Sequence, residues 1–188
     1  MLEIFSWLTI FLLLAASLTL LLARDWRWQA GSLAAQYLAL FILTLSHWPL
    51  GMAAAQLVTG WMAAAIFAMT RAPETESADF GWIFRLFLAV LILLMTFSAA
   101  VSLNDWLANA GLPLLFGALI LIGMGLLQLG ISSRAGRSAL GLLTLLSGFE
   151  ALFSPLENSI LVAALLSVIT LGLALAGAYL LQLSAEQP

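Results

Sequence analysis

The sequence predicts an all-α fold: a polytopic membrane helix bundle with about seven transmembrane helices. Of the 188 residues, 64% are hydrophobic and only 8% are charged, whereas soluble domains carry roughly 25% charged residues. Apolar runs long enough to cross a bilayer follow one another, separated by short polar breaks. These observations exclude a water-soluble enzyme with a polar surface and make the lipid bilayer the expected surroundings.

Polar and proline-containing breaks divide the chain into its predicted spans. The first apolar run is too long for a typical cleaved signal sequence, so we expect a retained span. The second turn contains His47-Trp48-Pro49, and the third is the hydrophilic stretch from Arg71 to Asp79. The break at Pro155 is either a loop between two spans or a kink within one longer helix. The predicted spans are about 3–23, 29–47, 50–70, 81–103, 112–131, 138–156 and 159–183.

The arginines predict the orientation. The chain has no lysine, and all six arginines flank the first, third and fifth turns. Alternate turns share a side of the membrane, so these residues fall on one face, which the positive-inside rule makes cytoplasmic. We therefore expect the N-terminus outside and the C-terminus in the cytoplasm, in a membrane such as the bacterial inner (plasma) membrane. The topology-setting residues are Arg24, Arg27, Arg71, Arg85, Arg134 and Arg137.

A weak internal repeat suggests a duplication. Arg24 to Gly31 and Arg134 to Gly141 share the pattern RxxRxxxG at an offset of 110 residues, and Ala53 falls on Ala163 at the same offset. The chain is predicted to form one membrane domain of two parallel three-helix units, residues 1–70 and 112–188. A linker and fourth span, 71–111, join them. The alternative is that any polytopic protein places arginines at its inner turns.

Glycines predict where helices approach closely, because a small residue lets two backbones come together. Gly141 and Gly148 are seven residues apart and share one face of their helix. The glycines of the last three spans are Gly117, Gly123, Gly125, Gly130, Gly141, Gly148, Gly172 and Gly177.

One acid falls inside a predicted span. Glu150 lies thirteen residues after Arg137, about 20 Å along a helix at roughly 1.5 Å per residue. A carboxyl group at such depth is costly and usually functional, so Glu150 is the candidate proton-relay or coupling residue. The alternatives are a protonated carboxyl group hydrogen-bonded to a neighbouring span, or one reaching the outer surface through Ser154 and Glu157. Weaker polar candidates at similar depth are Gln36, Ser167 and Thr170, besides Tyr37, Gln56, Thr59, Gln128, Thr144 and Ser147.

The sequence offers few residues for metal sites, disulfides or other catalytic chemistry. With no cysteine, disulfides and thiolate-bound clusters are excluded, and the single histidine, His47, cannot build a metal site alone. We therefore expect no metal, no bound cofactor, no nucleic-acid partner and no catalytic activity of the chain by itself. One buried acid also makes a poor pump, since a continuous proton path normally uses several ionisable groups.

The C-terminal unit resembles the three-helix K-type subunit of complex I. The similarity centres on Ser147-Gly148-Phe149-Glu150-Ala151-Leu152, which is similar to that family's Gly-Leu-Glu stretch, with arginines in the preceding loop. The whole chain resembles the longer E component of hydrogenase-4, in which a glycine followed five residues later by glutamine opens the second span. Here these residues are Gly31 and Gln36.

This resemblance implies a non-catalytic membrane subunit of an oxidoreductase complex. It would pack beside antiporter-like subunits, with Glu150 contributing to the charged axis that couples redox chemistry to proton or sodium movement. The K-type family has a second buried acid in its third helix, where this chain has Ser167 or Thr170. That departure favours a scaffold with one coupling residue. Two other classes remain open: a stand-alone small transporter, and a structural or assembly membrane protein without chemistry.

Overall fold

The computed structural model describes residues 2–23, 25–70, 81–107, 110–132, 135–157 and 159–186, with side chains described between Ser6 and Leu183. Within these ranges the chain forms seven α-helices and no β-strand. The helices are α1 (Leu2–Leu22), α2 (Trp26–Thr44), α3 (Leu50–Met69), α4 (Trp82–Trp106), α5 (Leu112–Ile131), α6 (Ala135–Phe153) and α7 (Ile160–Glu186). The expected all-α fold is confirmed.

Four helices are long and apolar enough to cross a membrane, namely α3, α4, α5 and the 160–183 part of α7. The described apolar part of α1, Ser6–Leu22, is shorter. The segments α2 and α6 carry more polar residues, including Arg27, Arg137 and Glu150. The chain is thus a membrane-compatible helix bundle, and the count of seven spans stays a prediction.

Two predicted helices are shifted by about one helical turn, and α4 and α7 each end three residues later than predicted. The second and sixth helices each begin and end three residues earlier than predicted. Hydropathy identifies the apolar run, whereas α2 begins before that run and includes the flanking Trp26 and Arg27. The ends of a helix and the ends of its apolar run can therefore differ by a few residues. At Pro155 the structure has a loop, since α6 ends at Phe153 and α7 begins at Ile160.

The helices form two stacked rows. In the first row α2 lies between α1 and α3, and in the second α6 lies between α5 and α7. The rows face each other with α1 against α5, α2 against α6 and α3 against α7. The remaining helix, α4, packs mainly against α5 and touches α1.

The facing of α3 and α7 follows the 110-residue offset. Ala53 and Ala163 belong to one apolar cluster. Further along, a Cβ atom added at Gly177 would lie 2.8 Å from Cζ of Phe67, so that ring packs on the glycine. Phe67 and Gly177 are separated by the same 110 residues. Helices α3 and α7 therefore run parallel and in register, while the duplication itself stays a prediction.

The closest backbone approach joins α5 to α6. A Cβ atom added at Gly125 would lie 2.6 Å from the backbone nitrogen of Leu145, and one added at Gly148 would lie 2.8 Å from the carbonyl oxygen of Ala118. Gly141 faces the same seam, at 3.1 Å from the carbonyl oxygen of Gly125. The predicted close approach is confirmed here, whereas Gly130 and Gly172 have no such neighbour within 4 Å.

Candidate functional site

Glu150 lies in the last turn of α6, on the face that packs against the rest of the bundle. Ser147, three residues before it and so on the same side of the helix, is also buried. The Glu150 side chain is only 3% exposed. A carboxyl group so enclosed requires hydrogen-bond partners from other helices.

Two helices supply those partners. The side-chain amide of Gln56 on α3 donates through Nε2 to Glu150 Oε2 at 2.7 Å. The hydroxyl of Thr170 on α7 donates to Glu150 Oε1 at 3.2 Å. Each carboxyl oxygen therefore accepts one hydrogen bond from a neutral donor, and the three residues are all buried. We call Glu150, Gln56 and Thr170, together with Thr44, the acid cluster.

Thr44, the last residue of α2, extends the acid cluster to a fourth helix. Its hydroxyl lies 3.3 Å from Gln56 Oε1 and 3.0 Å from the carbonyl oxygen of Leu40. The Thr170 hydroxyl has a similar choice, between Glu150 and the carbonyl oxygen of Leu166 at 3.0 Å. A hydroxyl has one proton to donate. Both threonines can therefore turn towards the cluster or towards their own helix without losing a hydrogen bond.

Tyr37 completes the surroundings of the carboxyl group from α2. Its ring packs on Gly60 of α3, where there is no side chain to displace it. The Tyr37 hydroxyl interacts electrostatically with Glu150 and lies near Thr170, but it is outside hydrogen-bonding geometry. The phenol is therefore a further buried polar group near Glu150 and Thr170.

An apolar cluster covers the acid cluster on the side of the nearest helix ends. It consists of Trp48, Met52, Ala53 and Ala163, with Phe41 against it. The indole nitrogen of Trp48 donates to the carbonyl oxygen of Glu157 at 3.3 Å, which ties the α2–α3 turn to the α6–α7 loop. Ser154 bonds to its own helix at Ala151. The alternative route from Glu150 to the surface through Ser154 and Glu157 is therefore not formed by any described hydrogen bond.

This arrangement gives the Glu150 carboxyl group neutral hydrogen-bond donors. Among the described residues, no His, Asp or Glu side chains gather in a group of three that could hold a metal ion. The hydrogen bonds that the Glu150 carboxyl group accepts come from an amide and a hydroxyl group rather than from a cation. Such a carboxyl group can bind or release a proton while its neighbours rearrange by rotation.

The weaker polar candidates divide clearly. Thr170 joins the acid cluster, whereas Ser167 bonds to the carbonyl oxygen of Ala163 on its own helix at 2.9 Å. Gln36 is fully buried, but both polar atoms of its amide lack a hydrogen-bond partner. The structure thus brings one of these three residues to Glu150 and leaves the other two away from it.

The arginines occupy different settings. Arg27 is exposed and lies over the ring of Trp26, 5.4 Å from its centre. Arg85 is only 5% exposed and donates to the carbonyl oxygen of Leu21 at 3.4 Å. Arg137 is half-buried. The other three, Arg24, Arg71 and Arg134, lie outside the described residues.

Sequence reasoning missed Thr44 and the covering role of Trp48. A threonine at a helix end normally bonds to the preceding turn, so its type gives no sign of a tertiary partner. The one available signal was its separation from Gln56, twelve residues across a proline-containing turn, which places both at the same ends of adjacent helices.

Comparison with protein-family models, with curated proteins and with solved structures finds no match to this chain.

Proposed function

We propose that the chain is an integral, non-catalytic membrane subunit of a complex I-like or membrane-bound hydrogenase-type complex. In that setting Glu150 contributes a buried carboxyl group to the coupling of redox chemistry to proton or sodium translocation. Redox cofactors and catalysis belong to other chains of the complex. The proposal has the chain in a bacterial inner membrane, with its N-terminus outside and its C-terminus in the cytoplasm.

The observation that carries this proposal is the enclosure of Glu150 by donors from two other helices. A carboxyl group retained at a 3% exposed position lowers stability unless its surroundings are built for it. Here Gln56 of α3, in the opposite row, and Thr170 of the neighbouring α7 each present one donor. An apolar residue at position 150 would be buried at a lower cost in free energy, so a functional role best explains the acid.

The position of Thr170 also supports a one-acid role. The K-type family's third helix supplies a second acid, and the equivalent region of this chain offers a hydroxyl that contacts the first acid directly. A hydroxyl can pass or orient a proton but holds no charge. Glu150 would therefore be the single protonatable group that this chain adds to a path whose other members lie on neighbouring subunits.

The surface suits such neighbours. In α4 and in α7, only 17% of an 18-residue apolar stretch is buried within the chain. Large side chains on α4, among them Phe87, Leu94 and Met95, are more than half exposed. These faces meet lipid in an isolated bundle, and antiporter-like subunits would cover part of them in a complex.

Purification of the tagged full-length chain in mild detergent tests the assembly. The proposal expects antiporter-like and hydrogenase-like subunits to co-purify with it. A monodisperse lone protein would contradict the proposal and favour the stand-alone transporter. Co-purification with unrelated membrane proteins would instead favour a structural or assembly role.

The role of the carboxyl group is tested by Glu150→Gln in the assembled complex. Glutamine keeps the size of the side chain and one acceptor oxygen, but its amide cannot bind and release a proton as a carboxyl group does. We expect proton transfer coupled to redox turnover to fall at least about tenfold, as for loss of a general acid–base group, while the amount of assembled complex stays unchanged. The matched control is Ser167→Ala, which removes a half-buried hydroxyl group that bonds to its own helix instead of to Glu150. Unchanged coupling in Glu150→Gln would leave this residue a structural one.

A further inference from the structure

The two residues that donate to Glu150, Gln56 and Thr170, differ in how each can respond when the carboxyl group gains a proton. An ionised carboxyl group only accepts hydrogen bonds, whereas a protonated one also has an O–H group that donates. At a side chain that is 3% exposed, this O–H group requires an acceptor within the bundle, because a buried donor without a partner lowers stability. One of the two residues must then accept a hydrogen bond where it now donates one.

The Thr170 hydroxyl group can make this change by rotation about a single bond. Its oxygen lies 3.2 Å from Glu150 Oε1 and 3.0 Å from the carbonyl oxygen of Leu166, one turn earlier in α7. When Glu150 is ionised, the hydroxyl hydrogen points to Oε1. When Oε1 carries a proton, the hydroxyl hydrogen can point to Leu166 instead, and the Thr170 oxygen then accepts the hydrogen bond from Glu150. Each O–H group of the pair has an acceptor in both states.

Gln56 could accept the same proton only through a larger rearrangement. Its Nε2 donates to Glu150 Oε2 at 2.7 Å, so its amide group would have to turn over to present Oε1 as an acceptor. That turn would bring Nε2 to Thr44, whose hydroxyl oxygen lies 3.3 Å from Gln56 Oε1. The Thr44 hydroxyl hydrogen would then have to point to Leu40, 3.0 Å away. Two side chains would change for one proton, whereas the Thr170 route changes one.

The titratable groups around Glu150 leave this choice to its hydrogen bonds. Helices α3 and α5 contain no titratable residue, and from α2 the Tyr37 phenol lies near the carboxyl group. Near Leu181, α7 packs on Gly136 at the start of α6, so the last third of α7 lies at the opposite end of the bundle from Glu150. The other titratable residues of α2, α6 and α7 all lie towards that end, namely Arg27, Arg137, Tyr179 and Glu186.

We infer that Thr170 is the positioning residue that lets Glu150 bind and release a proton at Oε1, by reversing its hydroxyl group from donor to acceptor. The proton stays on Oε1, and the Thr170 hydrogen only changes direction, so the threonine gains no charge. Gln56 remains a donor to Oε2 in both states. The inference rests on the proton-binding role proposed for Glu150, but it does not depend on any partner subunit.

Infrared spectroscopy of the full-length chain in dodecyl maltoside, a detergent without carbonyl groups, tests this reversal. The carbonyl stretch of protonated Glu150 is followed as the pH changes. In each variant it is obtained as the difference from the same variant carrying Glu150→Gln. In Thr170→Val we expect the band to move to higher frequency, because the O–H group of Glu150 loses its acceptor. Thr170→Ser keeps the hydroxyl group and should restore the original band.

Thr144→Val is the matched control, since Thr144 is also buried but bonds to the carbonyl oxygen of Leu140 on its own helix. It should leave the Glu150 band unchanged. An unchanged band in Thr170→Val, or an equal shift in Thr144→Val, would overturn the inference. A shift in Thr44→Val with none in Thr170→Val would also overturn it and assign the reversal to Gln56. If Glu150→Gln removes no band at any pH at which the chain stays folded, Glu150 binds no proton, and the proposed function itself is contradicted.

Discussion

The two ends of α6 lead into two polar regions that are built in opposite ways. At its last turn Glu150 enters the acid cluster, where donors from α3 and α7 meet both carboxyl oxygens. At its first turn Arg137 lines a small pocket in which the Gln128 amide nitrogen has no acceptor. The Glu150 carboxyl group thus has hydrogen-bond donors from other helices, whereas the buried Gln128 amide nitrogen lacks an acceptor.

The acid cluster and the pocket at the other end of α6 also differ in their surroundings. The Glu150 carboxyl group is only 3% exposed, and Trp48 and the other members of its apolar cluster lie towards the nearest helix ends. The pocket at the other end of α6 is lined by the buried Leu20, Leu21 and Leu140 together with polar side chains.

The first prediction concerns the opposite sides of the membrane and has the largest expected effect. The chain contains no cysteine, so single cysteines can be introduced at Asp25 and Glu157, both exposed and at opposite helix ends. In intact cells with a permeable outer envelope, a membrane-impermeant maleimide should label Glu157→Cys and not Asp25→Cys. Labelling both after membrane disruption is the control for reactivity. The reverse pattern would invert the proposed orientation, and labelling of both in intact cells would refute a bundle with these ends on opposite sides.

The second prediction tests the α5–α6 seam that holds both regions in place. Gly148→Ala adds a methyl group 2.8 Å from backbone atoms of Ala118 and Ile122, so the helices must separate. We expect a loss of about 3 kcal/mol in unfolding free energy, measured by denaturant titration in detergent.

Gly172→Ala is the matched control for the seam. Nothing lies within 4 Å of the position that its Cβ would take, and alanine is the better helix former by up to about 1 kcal/mol. The two substitutions should therefore change stability in opposite directions. A loss at Gly172 equal to that at Gly148 would show that the effect is not one of close approach.

The third prediction concerns the hydrogen bonds within the acid cluster. Gln56→Leu removes the donor to Glu150 Oε2 and the acceptor for Thr44. Leaving a buried polar group without its partner should lower the unfolding free energy by about 2 kcal/mol. The double variant Gln56→Leu/Glu150→Leu removes both partners and should recover most of that loss. Additive losses in the double variant would mean that the two side chains do not interact.

The fourth prediction concerns Trp48 in the apolar cluster next to the acid cluster, and it has the smallest expected effect. Trp48→Phe keeps an aromatic ring over the acid cluster but removes the hydrogen bond to the carbonyl oxygen of Glu157. We expect a loss of about 1 kcal/mol and faster hydrogen–deuterium exchange at Ser154 and neighbouring amides. Trp61→Phe is a useful comparison, since the Trp61 indole bonds to Ala34 at 3.2 Å but lies away from the acid cluster. Equal exchange rates in both variants would show that Trp48 does not tie the loop down.

The site was only partly predictable. Glu150 stood out because an acid within a long apolar segment is rare, and that is a property of the sequence alone. Gln56 and Thr170 were among many polar residues at similar depth, with nothing to separate them from Gln36 or Ser167. Their separations from Glu150, 94 and 20 residues, have no local signature. The rotation of each helix about its axis decides which polar side chain meets the acid.

The sequence by itself determined the membrane character, the seven helices and the one acid within them, because hydropathy and helix-breaking residues act over short stretches of chain. Only the tertiary structure decided that α3 faces α7 in register, that Thr44 joins the acid cluster, and that Arg85 is buried beside Gln128. Those outcomes depend on which helix faces touch. In a chain so uniformly apolar, close packing at small residues such as Gly125 and Gly148 makes that choice, since hydrophobicity alone favours no face over another.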